Sequence, residues 1–532
     1  MNRIRKLAAV VKEGVSNPEK IKKGLKVLKN QGPVIFKERL SNSINYEPGY
    51  GRTRKVKLKS YSGDILFSIV MPVYNVDLKW LDKAIESIEK QNYKNWEICI
   101  ADDCSPNQEV REHLLSISNN KIKVKLLDKN QGISGATNEA ASLAFGDYIL
   151  LMDNDDELAH SALHEFYQKI KKDGSEILYS DMDIIDAKGR TRDPLCKPDW
   201  SPDLFLSQMY LGHLVGFKKS LFDEVGGFRS EFNGSQDYDL LLRMTEKTDK
   251  IGHVAEILYH WRDLPSSTAA NPESKPYAQI AGLNAIQEHL NRVYGSGKAI
   301  AHETDNLFVY DVRYPMEEEP MVSIIIPIKD HVELLKAAID SIFEKTTYKH
   351  YEIIVLNNNS EKEETFAYLR ELVECHENVR VEDALFEFNW SKLNNYGMQF
   401  AKGDVFVCLN NDVKVIEPEW ITSLVEKAIR SDVGVVGGLL LYEDNTIQHA
   451  GVVIGMGGWA DHVFKGMTPQ HYGSPFISPM VTRNVSAVTG ACLAVSRKTI
   501  EKIGGFNEQF FLLFSSKQQD RLLLLHLHFL LP

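Results

Sequence analysis

Apolar and polar positions along this chain follow two periods, and the same succession occurs twice. Phe67–Asn75 reads FSIVMPVYN and Val322–Asp330 reads VSIIIPIKD. Each is a β-rich apolar run closed by a proline. Leu81, Ala84, Ile85 and Ile88 follow the first run; Leu335, Ala338, Ile339 and Ile342 follow the second. Both sets have i, i+3, i+4, i+7 spacing, which predicts an amphipathic helix. YKNWEICIADDCS (93–105) then faces YKHYEIIVLNNNS (348–360), and GDYILLMDNDDEL (146–158) faces GDVFVCLNNDVKV (403–415), again strand into polar loop. Later, EVGGF (224–228) faces KIGGF (502–506). Loops match as well as strands, so the repeat points to duplication rather than to two unrelated α/β units.

Strand, helix and strand in alternation imply βαβ units and a parallel sheet. The expected organisation is α/β with two tandem domains, 65–270 and 320–532. A basic arm (1–64) precedes them. Residues 271–319 read as a connector, helical over Tyr277–Tyr294 and ending in an acidic, proline-flanked linker at Pro315–Pro320.

Charge sharpens this division. The 532 residues carry 62 Lys/Arg and 73 Asp/Glu, a net −11. The first 60 residues hold 16 basic and 4 acidic side chains, so a cationic arm is joined to an anionic body. An acidic body argues against nucleic acid as a partner. Hydrophobic residues at 43% and charged residues at 25% fit globular domains rather than disorder. The six cysteines form neither a CxxC pair nor a zinc-spaced cluster, so reduced, mostly buried thiols are expected, as in a cytoplasmic protein. No apolar run reaches the ~18 residues of a membrane helix, and Leu7–Val11 is too short for the core of a signal peptide. In the arm, Ile4, Leu7, Ala8, Val11 and Ile21, Leu25, Leu28 fall at helical spacing between Lys and Arg. Such a segment can lie on an anionic membrane surface, or it can pack on the body.

Loops at the carboxyl ends of parallel strands form the ligand crevice of α/β sheets. Three acidic clusters are expected there: Asp102-Asp103, Asp153-Asn154-Asp155-Asp156, and Asp237 with Asp239 in the loop GSQDYDL (234–240). Asp-x-Asp after an apolar strand suits Mg²⁺ or Mn²⁺, which takes carboxylate oxygens and keeps sites for phosphate. Asp-rich turns also serve as caps and solvated loops, but the second copy keeps Asp412 at the corresponding place. Asp102-Asp103 can accept hydrogen bonds from a base or ribose. Asp237 can act as a general base toward a hydroxyl. His260 and Arg262 in LYHWR can hold a diphosphate. No glycine-rich loop of Walker or dinucleotide type precedes either first helix, so P-loop and NAD chemistry lack their motif.

As a set, PVYN, ADDCS, NQGISGATNEA, LLMDNDDEL, YSDMD, KPDWSPDLF, GSQDYDL and LYHWR resemble the inverting family-two glycosyltransferases of GT-A fold (nucleotide-diphospho-sugar transferase, Rossmann-like). FNWSKLNNYG, CLNNDVKV, DVGVVGGLLLY, IQHAGVVIG and NVSAVTGACLAVSR extend the likeness through the second copy. The layout is similar to two-domain bacterial enzymes that build O-antigen, capsule or rhamnan-type polysaccharide. The resemblance implies that Tyr74, Asn75, Asp103, Asp153, His260 and Arg262 bind the nucleotide-sugar. It implies that Asp153 and Asp155 hold Mg²⁺ or Mn²⁺, with Asp155 the direct ligand, and that Asp237 is the catalytic base. Asp181 and Lys197–Trp200 would lie toward the acceptor. The implied partners are a UDP- or dTDP-linked sugar and a glycan or lipid-linked glycan acceptor, with the protein at the cytosolic face of the inner membrane. Two alternatives stand beside it: a non-catalytic sugar-nucleotide or glycan-binding scaffold, since fold alone does not fix function, and a nucleotidyltransferase, whose glycine-rich N-terminal loop PVYN does not resemble.

The second copy departs from the pattern. Asn357-Asn358-Asn359 replace the acidic pair, and Asn410 replaces the first metal-motif Asp, leaving Asp412. Ser515-Ser516 stand where the acidic base motif is expected, followed by KQQDRLLLLHLHFLLP, which shows no familiar periodicity. The expectation is a second domain that is incomplete, truncated or frameshifted after Phe514, and catalytically inactive.

Overall fold

The computed structural model describes residues 59–264, 276–456, 460–469 and 477–509, with the backbone of the strand Leu522–Leu531. The basic arm expected over 1–64 lies almost wholly outside the described residues, as does the segment holding Ser515-Ser516.

The first sheet contains β1 (Phe67–Val73), β2 (Trp96–Asp102), β3 (Ile122–Leu126), β4 (Tyr148–Leu151), β5 (Glu157–Leu158), β6 (Ile177–Ile185), β7 (Thr191–Leu195), β8 (Val215–Lys218) and β9 (Ile251–Arg262). Their order is β3-β2-β1-β4-β8-β6-β9-β5, with β7 beside β6. β3, β2, β1 and β4 run parallel; β8 enters antiparallel between β4 and β6. Strands covered on both faces read as continuous apolar runs, which is why β1 and β2 show no alternation. Helix α1 (Leu78–Glu89) buries Leu81, Ala84, Ile85 and Ile88 as its spacing requires, and Asp77 caps it by accepting the Lys79 N–H at 2.9 Å.

The second sheet repeats this plan. Val322–Ile328 pairs parallel with Tyr351–Asn357 and with Val405–Leu409, and the last pairs antiparallel with Cys492–Ser496. A buried polar device is repeated too. Ser68 Oγ donates to Glu97 at 2.7 Å and accepts the Gly146 N–H; Ser323 Oγ donates to Glu352 at 2.7 Å and accepts the Gly403 N–H. Each glycine lies so close to the first strand that a Cβ would meet a backbone or hydroxyl atom at 2.5–2.6 Å. That is the physical reason both copies read Gly-Asp before the fourth strand.

Three further helices place the site. α2 (Pro202–Ser207) follows the KPDW stretch, α3 (Gln236–Thr245) begins at the acidic GSQDYDL segment, and α4 (Pro276–Tyr294) lies in the connector. The sequence suggested a linker after that helix. Between the helix and the stretch Pro315–Pro320, Ile300–Glu303 and Tyr310–Arg313 form a hairpin that the sequence reading did not include. Ala285, Ile286, Leu290, Val312 and Tyr314 share one apolar core with Phe217, Leu240 and Leu241. Three of the six cysteines, Cys99, Cys408 and Cys492, are buried, whereas Cys196 and Cys375 are exposed.

The two halves meet at α2. Asn484 Oδ1 accepts from Ser201 Oγ and the Asp203 N–H, both at 3.0 Å, and its Nδ2 donates to Asp203 at 2.9 Å. Arg430 Nη1 donates to the same carboxylate at 2.6 Å. The tail read without periodicity also differs from expectation: Leu522–Leu531 is a strand, antiparallel to Val435–Leu441 and parallel to Val413–Val415. A run with no alternation carries no period to read, and sheet pairing assigns its conformation.

Candidate active site

Tyr74 and Asn75 follow directly on the end of β1. Tyr74 is exposed, and Asn75 adopts a left-handed conformation (φ 50°) while its N–H donates to Ser105 Oγ at 2.8 Å. The neighbouring acidic pair divides its labour. Asp102 is buried and structural: it accepts the Ser105 N–H and lies 3.4 Å from Arg111. Asp103 accepts the Gln131 N–H at 2.6 Å, which ties the NQGIS loop to the end of β2. Tyr74, Asn75 and Asp103 thus stand at adjacent strand ends, where a nucleotide can be gripped.

The Asp-Asn-Asp-Asp loop leaves β4 with four different environments. Asp153 is half-exposed and its N–H donates to the Tyr259 hydroxyl at 3.2 Å. Asn154 Nδ2 donates to the Pro72 carbonyl at 2.8 Å, clamping the loop onto β1. Burial, then the like charge of Asp153, push the Asp155 carboxyl up. Asp156 is fully buried; it accepts from the Tyr259 hydroxyl at 2.5 Å and from the Arg262 N–H at 2.7 Å. Two crowded carboxylates, one open and one desolvated, fit a divalent cation. Among the described residues no group of three or more His, Cys, Asp or Glu side chains is arranged to hold a metal ion by itself. A cation here would share Asp153 and Asp155 with ligand oxygens, as Mg²⁺ and Mn²⁺ do with phosphates.

Arg262 is buried rather than open to the cleft. Its Nε donates to the Asp155 carbonyl at 2.5 Å, its Nη2 pairs with Glu157, and the guanidinium lies 4.3 Å from the Trp80 ring centroid. Nη1 is buried without a hydrogen-bond partner among the described residues. The side chain therefore shapes the Asp-rich loop from behind. His260 Nδ1 is 2.5 Å from Asp183 on the adjacent strand, in the register Asp183↔His260.

Asp237, read from sequence as a loop residue, occupies the first turn of α3. Its neighbour Asp239 is buried between Arg229 and Arg243, which explains the helix: the second carboxylate anchors it and the first is left for chemistry. Burial raises the Asp237 carboxyl; the charge of His213 opposes this, and that of Asp153 adds to it.

His213 is the site residue that sequence reasoning missed. β4 and β8 are antiparallel with Leu151 opposite Val215, so continuing the ladder by two residues sets Asp153 opposite His213. Their side chains are 3.6 Å apart, and the imidazole stacks on the Tyr259 ring at 4.9 Å between centroids. A lone histidine sixty residues from its carboxylate gives no sequence signal; only the antiparallel register could have found it.

The stretch expected toward the acceptor is mainly a brace. Lys197 is buried, and its ammonium donates to the carbonyls of Ser180, Leu211 and His213, the last at 2.6 Å. Asp181 accepts the Lys197 N–H at 2.9 Å and binds His253, which reaches Asp199 on its other side. Asp199 itself is open to solvent.

In the second domain the corresponding ladder sets Leu409 opposite Cys492, hence Asn410 opposite Ala491. Asn410 donates its N–H to the Ala491 carbonyl at 2.9 Å. Asn357 donates to Asp383, and Asn358 to the carbonyls of Ala384 and Phe386, so the asparagines close their own loops. Burial pushes Asp412 up, with Asn410 bonded to it. Among the described residues no helix is long and apolar enough to cross a membrane.

The sequence model described as glycosyl transferase family 2 matches residues 68–226 and 323–504. A Sinorhizobium fredii protein of uncharacterized function, y4gI, is 40% identical over 86% of this chain and 51% of its own length. The O-antigen biosynthesis protein RfbC of Myxococcus xanthus is 36% identical over 84% of this chain and 35% of its own length. The chain thus spans about half, or less, of these relatives. The structure of Staphylococcus aureus TarS 1–349 in complex with UDP-GlcNAc is 18% identical over 44% of this chain and 74% of that one, with a TM-score of 0.35.

Proposed function

Given that this chain belongs to glycosyl transferase family 2, we propose that its first domain transfers a sugar, with inversion, from a nucleoside-diphosphate donor to a hydroxyl of a glycan acceptor in polysaccharide biosynthesis. The observation that carries this reading is the meeting of Asp153, Asp155, His213 and Asp237 from three separate elements at one end of the first sheet. The name of RfbC supports the polysaccharide context. That of an Escherichia coli UDP-Glc:alpha-D-GlcNAc-diphosphoundecaprenol glucosyltransferase, 33% identical over 122 residues, supports a UDP-linked donor and a lipid-linked acceptor.

In this mechanism Tyr74, Asn75 and Asp103 hold the nucleoside. Asp153 and Asp155 would hold Mg²⁺ or Mn²⁺, which supplies charge neutralisation for the departing diphosphate. Asp237 accepts the proton of the acceptor hydroxyl as that oxygen bonds to the anomeric carbon from the side opposite the leaving group. The carbon–diphosphate bond breaks, the proton ends on Asp237, and the nucleoside diphosphate leaves with the bonding electrons. The partial burial of Asp237 suits this role: it raises the carboxyl, and a raised pKa makes a carboxylate a stronger base.

The test is nucleoside-diphosphate release from a panel of nucleotide sugars with Mn²⁺ or Mg²⁺. Release from one donor should fall 10²–10⁴-fold in Asp237→Asn and be lost in Asp155→Ala. Undiminished release by Asp237→Asn would refute the assignment of the base. The second domain, with Asn410 facing Ala491, is read as non-catalytic; turnover retained by Asp237→Asn but lost on replacing Asp412 would overturn that.

A further inference from the structure

We infer that His213 is a further positioning residue of the transfer site, fixing the Asp153 carboxylate beside the base Asp237. The inference rests on the proposed function and adds a residue to it.

Three independent observations carry it. The first is geometric. The β4–β8 ladder, continued past Leu151↔Val215, sets His213 opposite Asp153, and Nε2 comes to 3.6 Å from the Asp153 carboxylate. The ring is not free to turn away. It is stacked on Tyr259, with 18° between the planes, and Tyr259 in turn grips the Asp153 N–H and the Asp156 carboxylate.

The second is the support behind the ring. Lys197 Nζ donates to the carbonyls of Leu211 and His213 and to that of Ser180 on β6. A buried ammonium is costly to desolvate and is kept only where its donors are used. Here all three donors are used to hold the segment that delivers His213. The loop is therefore built, in the sense that a buried charge fixes the backbone from which the imidazole projects.

The third is the internal repeat, which serves as a natural double substitution. In the second domain the equivalent ladder puts Ala491 where His213 stands and Asn410 where Asp153 stands. The imidazole and the carboxylate it faces are both absent from the copy whose acidic set is incomplete.

Nε2 of the imidazole faces the open carboxylate of Asp153 across 3.6 Å, and the ring lies within electrostatic reach of Asp155 and Asp237. Three carboxylates converging on one small volume repel one another. His213 is the group from the facing strand that lets Asp153 keep its aim.

The experiment measures Mn²⁺ binding to the full-length chain by the electron paramagnetic resonance signal of free Mn²⁺. It is run with nucleoside-diphosphate release on wild type, His213→Ala, His213→Gln and Asp155→Ala. His213→Ala should weaken Mn²⁺ binding about tenfold and lower kcat at least tenfold while melting within a few degrees of wild type. His213→Gln, which keeps an N–H near the position of Nε2, should recover most of both losses, as it would not if the ring merely filled space. Wild-type Mn²⁺ binding and turnover in His213→Ala, with binding lost in Asp155→Ala, would overturn the His213 assignment alone. Wild-type Mn²⁺ binding in Asp155→Ala would overturn the metal reading and take the His213 assignment with it.

Discussion

The joint between the two domains gives a prediction whose size follows from the structure. Arg430 and Asp203 are both buried, with side chains 9% and 6% exposed, and their charges are paired. The guanidinium also lies 4.7 Å from the Tyr314 ring centroid, and Asn484 is the other side chain holding Asp203. Arg430→Met keeps the aliphatic stem against Tyr314 and removes the cation. Asp203 is then a buried carboxylate with a single amide donor, and breaking one partner from such a pair costs about 3–5 kcal/mol. With a urea dependence of ~2 kcal/mol/M, the unfolding midpoint should fall by ~2 M. Removing both charges is far less costly, because an apolar or neutral replacement of a buried pair is often close to neutral. The double variant Arg430→Met/Asp203→Asn should therefore be more stable than Arg430→Met alone. Urea unfolding followed by tryptophan fluorescence decides it. A midpoint for Arg430→Met within ~0.5 M of wild type, or a double variant as unstable as the two single losses added, would refute the claim that the domains are joined through a desolvated ion pair.

Other outcomes follow from the same structure. Gly146→Ala should destabilise the first domain by about 1–3 kcal/mol, because the added Cβ would lie 2.5 Å from Ser68 Oγ; Gly403→Ala should do the same in the second, both read as lowered melting temperature. Asp239→Ala strips two arginines of their buried partner and should cost ~3–5 kcal/mol, melting α3 and with it turnover. Burial pushes the Lys197 ammonium below its ordinary range, so at alkaline pH, up to its unfolded value of ~10.4, the folded chain gives up a proton that the unfolded chain keeps. Stability should accordingly rise with pH by up to ~1.4 kcal/mol per unit across that window, a slope that Lys197→Met abolishes; an unchanged slope in that variant would show that another group titrates.

Some of this protein could be read from one dimension, because the information is local. Apolar runs of seven and helical spacing at Leu81, Ala84, Ile85 and Ile88 were enough for strand and helix, and the repeat extended that reading to the second half. Strand-end acids at Asp103, Asp153 and Asp155 were legible for the same reason: the loop follows its strand directly. Sequence was less informative where one residue type can serve two purposes. Sequence singles out Asp237 as a base, but as a loop residue, and assigns Asp239 no role. The tertiary structure separated them, because Arg229 and Arg243 neutralise one and the helix they anchor presents the other. Arg262, read from sequence as a contact for the diphosphate, is buried against Trp80 and Glu157, since β5 pairs with β9 and brings a carboxylate over it. His213 gave no signal at all. Its role depends on which residue lies across an antiparallel ladder, and strand register is fixed by the packing of the whole sheet, not by the few residues on either side. Periodicity is a property of neighbours along the chain and was therefore written in the sequence; the pairing of charges across strands depends on burial and register, and only the folded chain decides those.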